Sequence, residues 1–199
     1  LMFIRATEHV FKGESPVFLR DWEPIENISP NMVQAVVASE DNLFLQHSGF
    51  DFKSMKKAHK KNKKGKRMRG GSTINQQTAK NVFLYPKRSY LRKGLEAYFT
   101  VLIELFWSKE RIMEVYLNVI ETGDGIYGVE AASQHYFNKS ANHLTKSQAA
   151  AIAVSLPNPR KFNPSKSSAY ISRRKAKILD LMGKIGHIDF AKKPKKNKK

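Results

Sequence analysis

Apolar residues recur at helical spacing through most of the chain. Val33, Val36 and Val37 lie at i, i+3 and i+4 behind Ser29, which can cap a helix with Pro30 at its first position. Similar patterns predict helices that begin at Asp51, Ser72, Ser89, Ser108 and Thr145, and a last helix striped by Ile171, Ile178, Leu181, Met182 and Ile185. No strand pattern of any length accompanies them, so we predict a mainly α-helical fold.

The helix predicted from Ser89 to Trp107 has the widest apolar surface of the chain. Its apolar residues are Leu91, Leu95, Tyr98, Phe99, Leu102, Ile103, Leu105 and Phe106. Because a helix that is apolar on most sides is usually buried, we expect it to be the central helix of the core. The alanine-rich helix that starts at Thr145, stopped by Pro157-Asn158-Pro159, is interpreted as scaffold.

Glu40 follows Val33 by seven residues and therefore lies on the same apolar helix face. A carboxylate at the end of an apolar stripe is partly desolvated, which suits proton transfer near neutral pH. On position alone, a rim carboxylate that meets solvent is the simpler interpretation. The polar residues that follow along the chain favour the catalytic one.

The helix predicted after Ser72 has a polar face that carries little charge. Thr73, Gln76, Gln77 and Lys80 are related by i+3, i+4 and i+7, so they share that face. Two amides, a hydroxyl and one ammonium suit hydrogen bonding to sugar, amide and phosphate groups. An ordinary solvent-exposed face is the alternative, although such faces more often carry Glu and Lys.

The charge of the chain is far from balanced. The formal net charge is +19 over 199 residues, which predicts a polyanionic partner: nucleic acid, an anionic membrane surface or a phosphorylated substrate. Between Phe52 and Leu95 there are fifteen Lys and Arg residues and no acidic residue. The chain has no cysteine, and no run of apolar residues is long enough to span a membrane.

Four motifs occur in order along residues 20–160, and together they carry a resemblance. They are EDNLFLQHSG (40–49), GGSTINQQTAKN (70–81), RKGLE (92–96) and KERIMEVYLN (109–118). The set resembles the peptidoglycan glycosyltransferases of glycosyltransferase family 51, in particular the monofunctional biosynthetic transglycosylases. Any one motif alone would be weak evidence, whereas four in this order are specific.

The resemblance implies a lysozyme-like helical head with a smaller, membrane-facing jaw lobe at roughly 48–71. We expect one domain over residues 1–190, followed by a disordered lysine-rich tail at 191–199. The family normally has an N-terminal transmembrane helix, and this chain starts with Leu1. We therefore expect a longer parent anchored in the bacterial cytoplasmic membrane, with the catalytic domain on the outer face.

The resemblance also implies a reaction, the inverting polymerisation of lipid II with release of undecaprenyl pyrophosphate. Glu40 matches the catalytic base, and Glu96 matches the second glutamate of the family. The expected substrate-binding residues are Ser72, Thr73, Gln76, Gln77, Lys80, Asn81, Arg88, Arg92 and Lys93. The residues expected to hold the motifs in place are Asp41, Phe44, His47, Gly49, Glu114 and Asn118.

For cofactors and partners, we expect no required cofactor, although a divalent cation could assist the leaving group in this family. The expected partners are lipid II, the growing glycan chain, an anionic membrane surface and other cell-wall synthesis proteins. Two alternatives remain open from the residues themselves. A lysozyme-like hydrolase would use Glu40 as general acid but would not need the basic tract, and a nucleic-acid-binding protein would explain the charge without any accompanying signature.

Overall fold

The computed structural model describes residues 19–63, 65, 71–87, 89–166 and 168–191. The helices in this part of the chain are α1 Pro30–Glu40, α2 Phe52–Lys63, α3 Ile74–Phe83, α4 Tyr90–Phe106, α5 Lys109–Val119, α6 Val129–Phe137, α7 Lys146–Ser155 and α8 Ala169–Ile185. Short 3-10 turns occupy Ile25–Asn27 and Ala141–His143. The predicted mainly α-helical fold is confirmed.

The centre of the core is α7, packed between α1 and α8. Every residue from Ala149 to Ser155 is buried, because a helix of mostly small side chains lets its neighbours approach closely. On α1, Met32, Ala35 and Val36 are completely buried. The helix read as scaffold is therefore the one around which the other helices pack.

Most predicted helix starts are confirmed. The hydroxyls of Ser29, Ser89, Ser108 and Thr145 cap α1, α4, α5 and α7 as expected. The exception is α3, which is capped by Thr73 and not by Ser72. Thr73 Oγ1 accepts from the Gln76 N–H at 3.2 Å, while Gln76 Oε1 accepts from the Thr73 N–H at 3.0 Å. This reciprocal capping box fixes the helix start one residue later.

The expectation that α4 is the central core helix is wrong. It packs on α3 and touches α5, and its buried residues are Glu96, Thr100 and Ile103. An exposed set, which we name the α4 apolar face, consists of Leu91, Tyr98, Val101, Leu105 and Phe106. Apolar residues surround most of this helix, so their spacing could not show which side packs against the protein.

A small sheet was also missed by the sequence pattern. Strands β2 (Glu121–Gly123) and β3 (Ile126–Tyr127) form an antiparallel hairpin, and β1 (Leu19–Arg20) pairs in parallel with β3. Strands of two or three residues are too short to show alternation. Within the hairpin, a Cβ on Gly123 would lie 2.1 Å from the Tyr136 hydroxyl, so this position requires glycine.

The predicted jaw lobe contains α2, whose start is set by Asp51 Oδ1 accepting from the Ser54 N–H at 2.9 Å. The division into head and jaw remains a prediction, and residues 192–199 of the predicted tail lie outside the described residues. Within the described ranges, no helix is both long enough and apolar enough to cross a membrane.

Candidate active site

The catalytic candidate Glu40 is the last residue of α1, and its side chain is 13% exposed. Its Oε2 accepts a hydrogen bond from Gln77 Nε2 of α3 at 3.1 Å. Its Oε1 accepts from the Ser39 hydroxyl at 3.0 Å. The Glu40 carboxylate of the first motif is therefore in direct contact with the Gln77 amide of the second motif.

Gln77 also forms part of the wall of a cleft of about 570 Å³. The cleft brings together seven of the predicted site residues, which are Ser72, Gln77, Lys80, Asn81, Arg92, Lys93 and Glu96. They come from α4, α3 and the segment before α3. Gln77 thus links Glu40, at the end of α1, to the cationic cleft.

The charges in the cleft centre on Glu96, which is only 4% exposed. Its carboxylate pairs with Arg92 Nη1 at 3.4 Å and with the Lys93 ammonium. Lys80 lies nearby: burial lowers the pKa of its ammonium, the Glu96 charge opposes that shift, and Arg92 and Lys93 add to it. The charged residues that line the cleft are four cations, Lys80, Arg92, Lys93 and Arg160, and two carboxylates, Glu96 and Glu121, an excess of positive charge that suits phosphate binding.

Arg92 has a hydrogen-bond donor that is not used by the described residues. Its Nε is buried and has no hydrogen-bond partner within the described part of the chain. Buried polar groups are nearly always paired, so an unpaired guanidinium nitrogen at a cleft wall fits a site completed by a ligand. An anionic group in the cleft would supply the missing acceptor.

Thr73 and Gln76 are almost completely buried. Their polar groups form the capping box of α3, and the Thr73 hydroxyl also donates to the Gly49 carbonyl at 2.6 Å. Neither residue belongs to the lining of the cleft. Their role as substrate contacts remains a prediction, and the bonds described here fix the start of α3.

The first motif is held to α3 by Asp41. Its Oδ2 accepts from His47 Nε2 at 2.9 Å and from the Ile74 N–H at 3.1 Å. Lys109 Nζ donates to the His47 carbonyl at 2.8 Å, and the same ammonium lies 4.9 Å from the centre of the Phe44 ring. These contacts fix the loop between α1 and α2, as expected for motif-holding residues.

Two further motif positions have backbone or packing roles. Phe44 is completely buried. Gly49 has φ +82°, and a Cβ there would lie 3.2 Å from Thr100 Cγ2, so both conformation and space favour glycine. Both observations agree with the structural roles expected from the motif.

The fourth motif holds the segment before α1. Asn118 Oδ1 accepts from the Glu23 N–H at 2.9 Å, and its Nδ2 donates to the Glu23 carbonyl at 2.8 Å. Glu114 Oε2 accepts from the Ile25 N–H at 3.3 Å. Neither side chain lines the cleft, which agrees with a structural role. Arg88, the remaining predicted substrate contact, lies outside the described residues.

Several residues near the site were missed by the sequence analysis. The opposite wall of the cleft includes Asn158 and Arg160, in a segment read only as a helix stop. Arg160 Nε lies 3.3 Å from Asp124 Oδ1. The hydroxyl of Tyr116 donates to Gln77 Oε1 at 3.4 Å, and Arg174 Nη2 lies 4.0 Å from Glu40 Oε1. The sequence did show that a basic residue, Arg160, directly follows the helix stop Pro157-Asn158-Pro159. The other contacts join distant parts of the chain, so no local pattern indicated them.

Tyr116 remains a phenol over the working pH range. Burial, with smaller contributions from the charges of Glu40 and Asp41, raises its pKa well above the ordinary value of 10.0. For metals, no group of three or more potential ligands occurs among the described residues. The expectation that no cofactor is required remains a prediction.

Comparison with known proteins identifies the family. The family model for transglycosylases matches residues 10–183. The chain belongs to the transglycosylase family. The biosynthetic peptidoglycan transglycosylase of Bacteroides thetaiotaomicron is 52% identical to this transglycosylase over the whole chain and 80% of that protein.

Two further relatives carry the same name. The protein of Bdellovibrio bacteriovorus is 56% identical over 90% of this chain and 72% of its own length. The protein of Caulobacter vibrioides is 54% identical over 93% of this chain and 78% of its own length. The predicted family and enzyme class, a peptidoglycan glycosyltransferase, are confirmed.

Proposed function

We propose that this transglycosylase polymerises lipid II into β-1,4 glycan strands, with Glu40 as general base. The observation that carries the proposal is the position of Gln77, which contacts the Glu40 carboxylate and also lines the cationic cleft. A base for a sugar hydroxyl and a binding site for a pyrophosphate are thus adjacent. The relatives' names describe biosynthesis, which favours polymerisation over the glycan-cleaving alternative.

In the proposed step, Glu40 accepts the proton of the 4-hydroxyl of the acceptor sugar. The freed oxygen pair forms a bond to C1 of the donor sugar. The bond between C1 and the pyrophosphate oxygen breaks, and its electron pair leaves with undecaprenyl pyrophosphate. Attack from the face opposite the leaving group inverts C1 from α to β. A positioned base contributes typically ~10²–10⁴-fold to such a rate.

The leaving group determines the role proposed for the cations. Lys80, Arg92 and Lys93 would bind the pyrophosphate and stabilise the negative charge that develops as the C1–O bond breaks. Glu96 would orient these cations through its two ion pairs. The carboxylate also keeps part of the positive charge compensated before substrate binds, which limits the repulsion between the three cations.

A lipid-linked substrate requires an enzyme at a membrane surface, and two features support one. The α4 apolar face exposes large side chains, with Leu105 71% and Phe106 74% exposed. Exposed apolar patches of this kind mark interaction sites. The net charge of +19 would add attraction to anionic lipids. We therefore place the enzyme on the outer face of the bacterial cytoplasmic membrane, where other cell-wall synthesis proteins would be its neighbours.

The test is incubation of the purified protein with lipid II and separation of the products on a gel. We expect long glycan chains from the wild type, with or without EDTA. Glu40→Gln keeps the shape of the side chain and removes the base, so it should lose at least ~10²-fold in rate with an unchanged melting temperature. A Glu40→Gln variant that retains half the wild-type rate would rule out Glu40 as the base.

A further inference from the structure

Arg174 of α8 lies next to the proposed base. Its Nη2 is 4.0 Å from Glu40 Oε1, and its side chain is 32% exposed. Its Nε is buried and has no hydrogen-bond partner in the part of the chain that the structure describes. α8 packs against α1, and the guanidinium lies nearest Oε1 of Glu40, whereas Gln77 contacts Oε2.

The neighbouring arginine behaves differently and provides an internal comparison. Arg173 is exposed, and its Nε donates to the Ala169 carbonyl of its own helix at 3.1 Å. Two consecutive residues with the same side chain therefore have different surroundings. Arg174 reaches Glu40 because of its position on α8, since the adjacent Arg173 bonds within its own helix instead.

Within the described ranges, the other groups that contact the Glu40 carboxylate carry no positive charge. Ser39 and Gln77 are neutral donors, and Tyr116, which reaches it through Gln77, is an uncharged phenol. Asp41 is the next residue and is acidic. Among the described residues, Arg174 is thus the cation paired with this carboxylate. The Glu40 carboxylate thus has a charged partner at Oε1 and a neutral donor, Gln77, at Oε2.

We propose that Arg174 is a positioning residue that holds the Glu40 carboxylate in the orientation needed for proton transfer. This inference rests on the proposed role of Glu40. Arg174 contacts Glu40 and does not line the cationic cleft, so it would act through Glu40 and not on the pyrophosphate. Loss of its charge should therefore lower kcat and leave KM for lipid II nearly unchanged.

The experiment compares R174Q, R174K and R173Q in the full chain. Lipid II polymerisation gives kcat and KM, and thermal unfolding is measured on the same preparations. We expect R174Q to lose about tenfold in kcat, since small errors in the position of a catalytic group are costly. R174K should recover part of that loss by restoring the charge, and R173Q should match the wild type. R174M, which keeps the apolar stem, serves as a second neutral variant.

Several results would overturn the inference. These are wild-type kcat in R174Q and R174M, an equal loss in R173Q, a rise in KM that accounts for the loss, or a loss that follows the melting temperature. Failure of the underlying function looks different. In that case the wild type forms no polymer, or Glu40→Gln remains active, whereas the Arg174 inference fails alone when both of those behave as proposed.

Discussion

Gln77 donates from Nε2 to Glu40 Oε2 at 3.1 Å, and it accepts at Oε1 from the Tyr116 hydroxyl at 3.4 Å. A carboxylate can only accept, so the amide NH₂ must face Glu40. The amide oxygen then faces Tyr116, which must donate. The Glu40 carboxylate therefore determines which end of the Gln77 amide it meets, and the buried phenol supports that orientation by donating to the amide oxygen.

Tyr116→Phe removes this donor and leaves the ring in place. The Gln77 amide would lose its orienting partner, and a single neutral hydrogen bond of this kind is worth ~1 kcal/mol. We expect kcat to fall roughly three- to tenfold, consistent with that energy, with little change in melting temperature. Tyr90→Phe is the matched control, because Tyr90 is fully exposed. Equal rates in the two variants would show that Tyr116 only fills space.

Lys80→Met separates the contribution of the ammonium to catalysis from the unfavourable effect of its burial on stability. Removing a cation that binds the leaving group should reduce turnover by ~10²–10³-fold, as for other charge-stabilising groups. The folded protein should keep or raise its melting temperature, because burial of the ammonium is unfavourable. Lys87→Met is the control at an exposed position. Equal, small rate losses in both variants would mean that Lys80 contributes only to a diffuse positive field.

The lowered pKa of Lys80 also predicts a pH dependence. An ordinary lysine titrates near 10.5, and Lys80 loses its proton at a lower pH in the folded protein. As the pH rises, turnover should therefore begin to decline before pH 10.5, because Lys80 has already lost its charge there. In the window between the folded and unfolded pKa values the unfolded chain binds more protons, so this group makes stability rise with pH. Lys80→Met should remove that rise, which unfolding measured across alkaline pH would detect.

The motifs and caps of this fold were predictable because they depend on local sequence. Ser29, Ser89 and Thr145 each cap a helix within three residues of themselves, so a short pattern is enough. The site was predicted as far as its residues share helix faces, as with Gln77 and Lys80. The sequence could not show which of Ser72, Thr73 and Gln76 lines the cleft, because that depends on which residue caps α3.

What the sequence could not give was the contact between distant segments. Arg174 follows Glu40 by more than a hundred residues, and no spacing rule connects them. The misplaced α4 has the same origin: its apolar residues fit either a core or an exposed face, and the packing of α7 between α1 and α8 decides the matter. An amphipathic pattern indicates that a helix face is apolar but does not indicate what packs against that face.

The α4 apolar face should contribute to membrane binding separately from the charge. Leu105→Ser with Phe106→Ser alters two exposed side chains, so folding should be nearly unaffected. Charge-driven binding to anionic vesicles weakens with salt, whereas binding through the apolar face persists. We expect the double variant to sediment with vesicles at low salt and to lose most of its binding at high salt. Wild-type binding at high salt in the double variant would show that α4 faces something other than lipid.

Glu96→Gln tests whether this carboxylate serves catalysis or only neutralises charge. An exposed ion pair contributes ~0–1 kcal/mol, but Glu96 is buried with two cations beside it. If it orients those cations around the leaving pyrophosphate, turnover should fall at least tenfold, about 1.4 kcal/mol of barrier. The amide keeps the shape and can still accept a hydrogen bond, so the melting temperature should change little.

Glu114→Gln is the matched control for this prediction, because Glu114 also pairs with an arginine one turn away but lies outside the cleft. Its loss should affect the anchoring of the segment at Ile25 and therefore stability more than rate. Polymerisation rate and thermal unfolding are measured on the same preparations of both variants. A normal rate in Glu96→Gln, or a rate loss that tracks unfolding as in Glu114→Gln, would remove Glu96 from the proposed catalytic residues and leave that role to Glu40.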